Sequence, residues 1–277
     1  KVTVTSPTSL TATLTIDPGA SLGTSNISVS TAVGTSNTMP FTITPQGPTF
    51  TYGLPQSLDP TQQAPLQLSV TAPSPDPVTG QVTFAFAANA ATATDDPNVM
   101  FVNTQTSTRT LNFTIPPNST TAQFDVPNTV LQVGTVAGTV QLTTTQVQVA
   151  GQAVTPAGAA FDVTVPRMPP TITNVQFINR TEKGFTVVVT GYSDSKDITQ
   201  ATFNFTAKNG QLNTVELQPD VTSIFSSYYQ SSSEPMAGGT FVYTQPFVAQ
   251  QGNANVVASV SVTLTNSVGT SQPKSAP

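Results

Sequence analysis

The sequence predicts an all-β protein, tandem β-sandwiches in a row with one short helix in the last. Three observations carry this. Apolar residues alternate with Thr and Ser at period two in stretch after stretch, as in "VTVTS" and "LTATLTI", the mark of a sheet with one buried face. These strand-sized runs are separated at short intervals by turns built on Pro, Gly and Asn. Only 8% of the 277 residues are charged and 37% are hydrophobic, whereas an ordinary domain is about a quarter charged. Disorder needs high net charge and few β-branched residues. This chain has a net charge of −5 and is rich in Val, Thr and Ile, so neutral β-structure is the reading that fits.

Residues 1–45 read as strands throughout. "VTVTS" and "LTATLTI" come first, then the turn "DPGAS" at 17–21, the strand "SNISVST", the turn "GTSN" and the strand "MPFTITP". The stretch "SPTSLTATLTIDPGASLGTSNISVSTAVGTSNTMPFTIT" resembles the C-terminal half of an IPT/TIG domain, an immunoglobulin-like sandwich of bacterial surface proteins. That resemblance implies that earlier strands of the domain lie elsewhere. Two arrangements meet this expectation: a larger protein precedes Lys1, or strands from another copy complete the half-domain. In the second, Val2, Val4, Leu10 and Leu14 are the interface residues, because an incomplete sandwich exposes apolar surface and unpaired backbone to water.

The next domain is assigned to 46–166. Its entry, "QGPTFTYGLPQSLDPTQQAP" (46–65), reads as a linker or irregular entry segment rich in Pro and Gln, with "TFTY" able to pair as an edge strand. From 66 onward, "LQLSVTA", "GQVTFAFAAN", "NVMFVN", "TRTLNFTIP", "AQFDVPN", "GTVAGTVQLTTTQVQV" and "AAFDVTVP" are strands. The stretch "LNFTIPPNSTTAQFDV" resembles the strand–turn–strand of Calx-β-like and related bacterial immunoglobulin-like repeats. "PRMPPTI" (166–172) is a stiff, Pro-rich boundary that fixes the angle between neighbours.

Residues 167–277 form the last domain, with strands in "ITNVQFIN", "GFTVVVTG", "ITQATFNFT", "NTVELQ", "GTFVYTQPF" and "NVVASVSVTLTNSVGTSQ". The helix is expected near 220–231. Asp220 is a fair N-cap, and Val221, Ile224, Phe225 and Tyr228 follow helical spacing. Tyr192, Phe225, Tyr228, Tyr229, Tyr243 and Phe247 read as a core plug with tyrosine hydroxyls reaching the surface, the alternative being part of an interface; Tyr229 is expected to be the exposed member and the interface residue. Residues 46–277 resemble tandem β-modules at the C-termini of acidobacterial secreted proteins, so the whole reads as tandem immunoglobulin-like sandwiches.

Composition closes off much chemistry. There is no Cys, His or Trp, so disulfides, thiol nucleophiles, Cys/His zinc sites and Ser-His-Asp triads are excluded. No Lys or Arg lies between Lys1 and Arg109, and the pI is near 4.4. That speaks against nucleic acid and anionic membranes as partners, and no apolar run reaches the ~20 residues of a membrane helix. No cofactor is expected: Asp95 and Asp96 read as a solvated loop, and the alternative is a calcium site completed by Asp76, Asp125 or Asp162, against which no Asp-x-Asp-x-Asp spacing exists. Asp194 and Asp197 in "YSDSKD", with Glu182 and Glu216, are the only candidates for glycoside hydrolysis. Lys183 and Lys196 beside them make a salt-bridged loop the simpler account, and no catalytic residue is assigned. The expected function is structural: a stalk, filament subunit or adhesive scaffold at a bacterial cell surface. Its partners would be copies of itself or other surface proteins. The competing class is an accessory module that holds a larger secreted enzyme to polysaccharide or the cell envelope.

Overall fold

A computed structural model describes residues 1–17, 20–93, 95–208, 212, 215–231 and 238–277. Pro18 and Gly19 of the expected first turn, Asn213 and Thr214 of the "NTVELQ" strand, and Ser232 after the helix fall outside them. The protein is all-β, built of β-sheets packed around hydrophobic cores, with one short α-helix among the described residues.

The first of two hydrophobic cores spans residues 50–165. One sheet runs in the order Gln123–Phe124, Thr110–Ile115, Val78–Ala88, Gly138–Val149, with Ala160–Val165 also paired to the last of these. The other runs Ser107–Thr108, Met100–Val102, Val130–Gln132, Gln63–Pro65. Register follows the period-two pattern. Val78 pairs with Ile115 and Val82 with Leu111 on the inner face, while Thr79 and Thr114 share the outer one. Each such Val or Leu, fully buried, contributes about 1.5–3 kcal/mol of transfer free energy.

The segment 46–65 is not a linker. Phe50–Tyr52 pairs with Leu68–Val70, and Gln63–Pro65 joins the second sheet. Phe50, Tyr52, Leu58 and Ala64 are buried in the core. Phe50 packs edge-on against Phe113 and Tyr52 stacks on Phe161. The Pro and Gln residues mark the turns between these short strands; the two alternating aromatics supply the anchorage.

The second core spans 172–276. Thr171–Thr181, Gly184–Tyr192 and Thr240–Val248 form one sheet in that order. Glu216–Leu217, Gln200–Ala207, Val257–Thr265 and Lys274–Ala276 form the other. The helix Thr222–Tyr229 packs against Thr240–Val248, with Phe225 on Phe241 and Tyr243. The N-cap is Val221, which makes no side-chain cap bond, and not the expected Asp220; one residue earlier, Asp220 Oδ1 accepts the backbone N–H of Thr222, and hydrogen bonds from Thr222 hold its carboxyl below the usual range.

The buried helical stripe differs from the predicted one. Val221, Phe225 and Tyr229 face inward, whereas Ile224 is exposed and Tyr228 only half-buried. The stripe runs at i, i+4 and i+8 because the helix plugs the sandwich with its last turn. There the Tyr229 hydroxyl donates to the Gly239 carbonyl at 3.1 Å, and Phe225 packs on Phe241 and Tyr243. Tyr229, expected to be exposed, is therefore 2% exposed and part of the core.

Residues 1–45 contain no buried side chain among those described. Val2–Ser6 pairs with Ser9–Ala12, Gly23–Ile27 with Met39–Ile43, and the two-residue strands Ser30–Thr31 and Gly34–Thr35 with each other. All pairing is within the segment, yet no closed sandwich results. Register places Val2, Ala12, Val4 and Leu10 on one face of the first hairpin. It places Ile27, Met39, Phe41 and Ile43 on one face of the other long hairpin. Val2 is 65% exposed, Val4 71% and Met39 66%, and Leu10 and Leu14 are exposed too. This segment is an open ribbon with apolar faces.

Candidate functional site

Two features stand out against the two cores: the open ribbon, and a polar joint where the sandwiches meet. The joint is built on Asp96. It is fully buried, its Oδ2 accepting the backbone N–H groups of Thr135 and Val136 at 2.7 and 2.8 Å. Its Oδ1 accepts the N–H of Asn98 at 2.9 Å, the bond an Asp-Pro-Asn turn makes locally. Asp95 points outward and forms a two-pronged salt bridge with Arg109, which also donates to the Asp96 carbonyl. The two carboxylates therefore part: Asp95 is solvated, and Asp96 is an internal acceptor for three backbone donors. Asp125 is occupied by Asn112. Among the described residues no group of three or more carboxylates converges as a metal site would require.

Thr135 passes the contact across. Its hydroxyl accepts the N–H of Gly239 at 2.8 Å, and the Gly239 carbonyl accepts both Ser193 N–H and the Tyr229 hydroxyl. In return the carbonyls of Asp194 and Ser195 accept the N–H groups of Ala137 and Ala91. The "YSDSKD" loop, read as a salt-bridged loop, is largely buried: Ser193, Asp194, Ser195 and Lys196 are internal, and Asp197 pairs with Arg167. The reason is that its backbone continues a strand edge into the neighbouring sandwich, so its polar groups find partners there rather than in water. Lys196 lies over the Tyr229 ring, 5.7 Å from its centre. Glu182 and Glu216 sit on other turns and strands, away from Asp194 and Asp197.

The Pro-rich junction is held by side chains as much as by its prolines. Met168 donates its N–H to Asp194 Oδ2 and accepts from Asn266 Nδ2, while Arg167 bridges Asp197 and Ser267. Asp194 Oδ1 is buried with no hydrogen-bond partner. Burial is the main cause that pushes the Asp194 carboxyl up to about 6, with Asp197 adding to it, against the Met168 and Ser195 N–H bonds and Arg167.

The fit around Asp96 leaves no room for a side chain at Gly134, where a Cβ would lie 2.2 Å from Asp96 Oδ2. Gly134→Ala is expected to cost about 2 kcal/mol or more, because either the carboxylate or the loop must move and two buried N–H bonds lengthen. Thermal denaturation followed by circular dichroism checks this; an unchanged midpoint would show that the loop relaxes freely.

The sequence-predicted residues divide accordingly. Val2, Val4, Leu10 and Leu14 lie together on the ribbon, Asp95 and Asp96 at the joint with opposite exposures, and Tyr229 inside the last core. Thr135, Gly239 and Asn266 were not legible as joint residues: nothing local distinguishes them, since their partners lie 104, 104 and 71 positions away.

No protein-family model matches the chain, and no curated protein matches it. Among solved structures the chain is similar to the FN1-FN3 domains of chicken CNTN1, with 9% identity, 91% of this chain and 75% of that one covered, and a TM-score of 0.26. It is similar to three consecutive domains (A168-A170) of titin, with 14% identity, coverage of 92% and 73%, and a TM-score of 0.24. Red sea bream transglutaminase is a third, with 11% identity, coverage of 84% and 31%, and a TM-score of 0.26. Likeness at this level carries nothing of those proteins' activities to this chain.

Proposed function

We propose that this protein is a structural module of a bacterial extracellular assembly, a stalk, filament subunit or adhesive scaffold whose sandwiches act as a rigid spacer. The observation that carries this reading is the pairing of a tied joint with an open ribbon. A spacer must resist bending where domains meet, and backbone and side-chain bonds crossing the joint supply that resistance. An assembling protein must offer unsatisfied surface, and the ribbon's apolar faces offer it. The alternative of a polysaccharide-holding module needs a flat array of exposed rings, but Phe225, Tyr229, Phe241 and Tyr243 are buried.

Electron microscopy of negatively stained native material tests the reading. Regular filaments or chains of elongated particles are expected. Isolated compact monomers at every concentration would remove assembly from the function and leave a spacer within a larger chain.

A further inference from the structure

We infer that the ribbon of one copy adds its strand Val2–Ser6 to the outer edge of Thr240–Val248, at Val242 and Thr244, in a second copy; this rests on the assembly reading above and names its acceptor. The acceptor is defined by backbone parity. Among the described residues Thr240–Val248 is the outer strand of its three-stranded sheet and pairs with Gly184–Tyr192. The pairing is extended at both ends by bonds of odd-numbered residues, the Gly239 carbonyl from Ser193 and the Ala249 N–H to Lys183. In an antiparallel ladder bonded residues alternate, so the even-numbered residues turn their N–H and C=O groups away from the partner strand. Two side chains confirm the parity by capping outward carbonyls: the Tyr228 hydroxyl at Thr240 and the Gln245 amide at Pro246. Pro246, which has no N–H, falls on the same outward row. Val242 and Thr244 remain to offer donors and acceptors to an added strand.

Beside that edge runs a groove of about 180 Å³, floored by Phe225, Tyr228 and Phe241 and rimmed by Ile224 and Val242. Val242 is 65% exposed. The groove holds no charged side chain. A strand that enters it must alternate apolar and small polar residues, carry no charge and have an edge of its own to give. Val2–Ser6, "VTVTS", meets each requirement. It belongs to a two-stranded hairpin, so one of its edges is unpaired, and Val2 and Val4 project together from an exposed face. Its five residues are long enough to reach both Val242 and Thr244, before Pro246 interrupts the row of donors. Donor and acceptor are different surfaces of the chain, so the contact is head-to-tail and propagates instead of closing as a two-fold dimer.

The test uses two full-length variants and their mixture, followed by sedimentation velocity from micromolar concentration upward. Thr244→Pro removes an outward N–H that the protein's own ladder does not use, so its melting temperature should stay near wild type while assembly is lost. Val4→Lys disables the donor strand and leaves the acceptor intact. Wild type should form a concentration-dependent series of oligomers, each variant alone should be monomeric, and an equimolar mixture should stop at one-to-one dimers. Oligomers that survive Thr244→Pro, or a mixture that stays monomeric, overturn this edge and leave the assembly reading standing. A wild-type chain that is monomeric throughout overturns both, and assigns the ribbon's face to something other than a second copy.

Discussion

Asp96→Ala is expected to destabilise the protein by about 4 kcal/mol, because hydrogen bonds to charged groups contribute about 1.5–3 kcal/mol each and buried donors left unmatched carry a desolvation cost. Three backbone N–H groups, of Asn98, Thr135 and Val136, lose their acceptor at once. A methyl group cannot replace it, and the space is closed on the Gly134 side. For a chain of this size the melting midpoint should fall by on the order of 10 °C. The effect should extend beyond the first core. Thr135, oriented by Asp96, accepts the Gly239 N–H, and Gly239 anchors Tyr229 and Ser193. Asp96→Asn keeps an acceptor for one or two of the donors but sets an amide N–H₂ among N–H groups, so it should lose about half as much. Differential scanning calorimetry checks both. Equal midpoints for wild type and Asp96→Ala would mean that water replaces the carboxylate without penalty.

Acidification from pH 7.5 to 5 is expected to strengthen the last sandwich and its joint through Asp194. Its carboxyl is raised from 3.8 to about 6 by burial, so between those values the folded protein holds a proton that the unfolded chain does not. Stability then falls as pH rises through that window: the group's contribution is most favourable below about 4 and is lost above about 6. A shift of two units corresponds to about 3 kcal/mol at most. The groups facing it set the sign and size. Arg167 opposes the shift, Asp197 reinforces it, Lys196 lies buried next to it in the loop, and Met168 N–H bonds one oxygen while the other has no partner. Asp194→Asn should remove this part of the pH dependence and be no less stable than wild type at pH 7.5, since no charge is then buried. Urea titrations at several pH values give the comparison. A wild-type profile that rises with pH over 4–6 would contradict the assignment of a raised carboxyl.

The two carboxylates show where sequence reading stops. "DDPN" announces a turn, and the Asp96 bond to Asn98 is the local bond such a turn makes. Which of the two acids would be solvated was not legible, because the donors that claim Asp96 come from residues 135 and 136. "YSDSKD" was read as a salt-bridged loop, and Asp197 does pair with Arg167. That Ser193, Asp194, Ser195 and Lys196 are buried was not legible, because the other sandwich presents Ala91 and Ala137 to the backbone of this loop, while Gly239 of its own sandwich bonds Ser193. The helix was placed within a residue or two, since its signal is local. Its inward stripe was off by one position at the far end, since the choice between Tyr228 and Tyr229 depends on what the last turn meets.

What the sequence by itself determined is the all-β class, the strand pattern, the short helix and the exposed apolar residues of the ribbon. Period-two alternation and turn chemistry act between near neighbours, so they can be read from a line of text. Only the tertiary structure decided that 46–65 belongs to a core, that Tyr229 is inside, that Asp96 and Asp194 are buried at a joint, and that Val242 and Thr244 lie on an outer edge of the sheet among the described residues. Each of those depends on which backbone donor or apolar face a distant segment brings to the residue. A side chain's burial is a property of that meeting rather than of its neighbours in the chain.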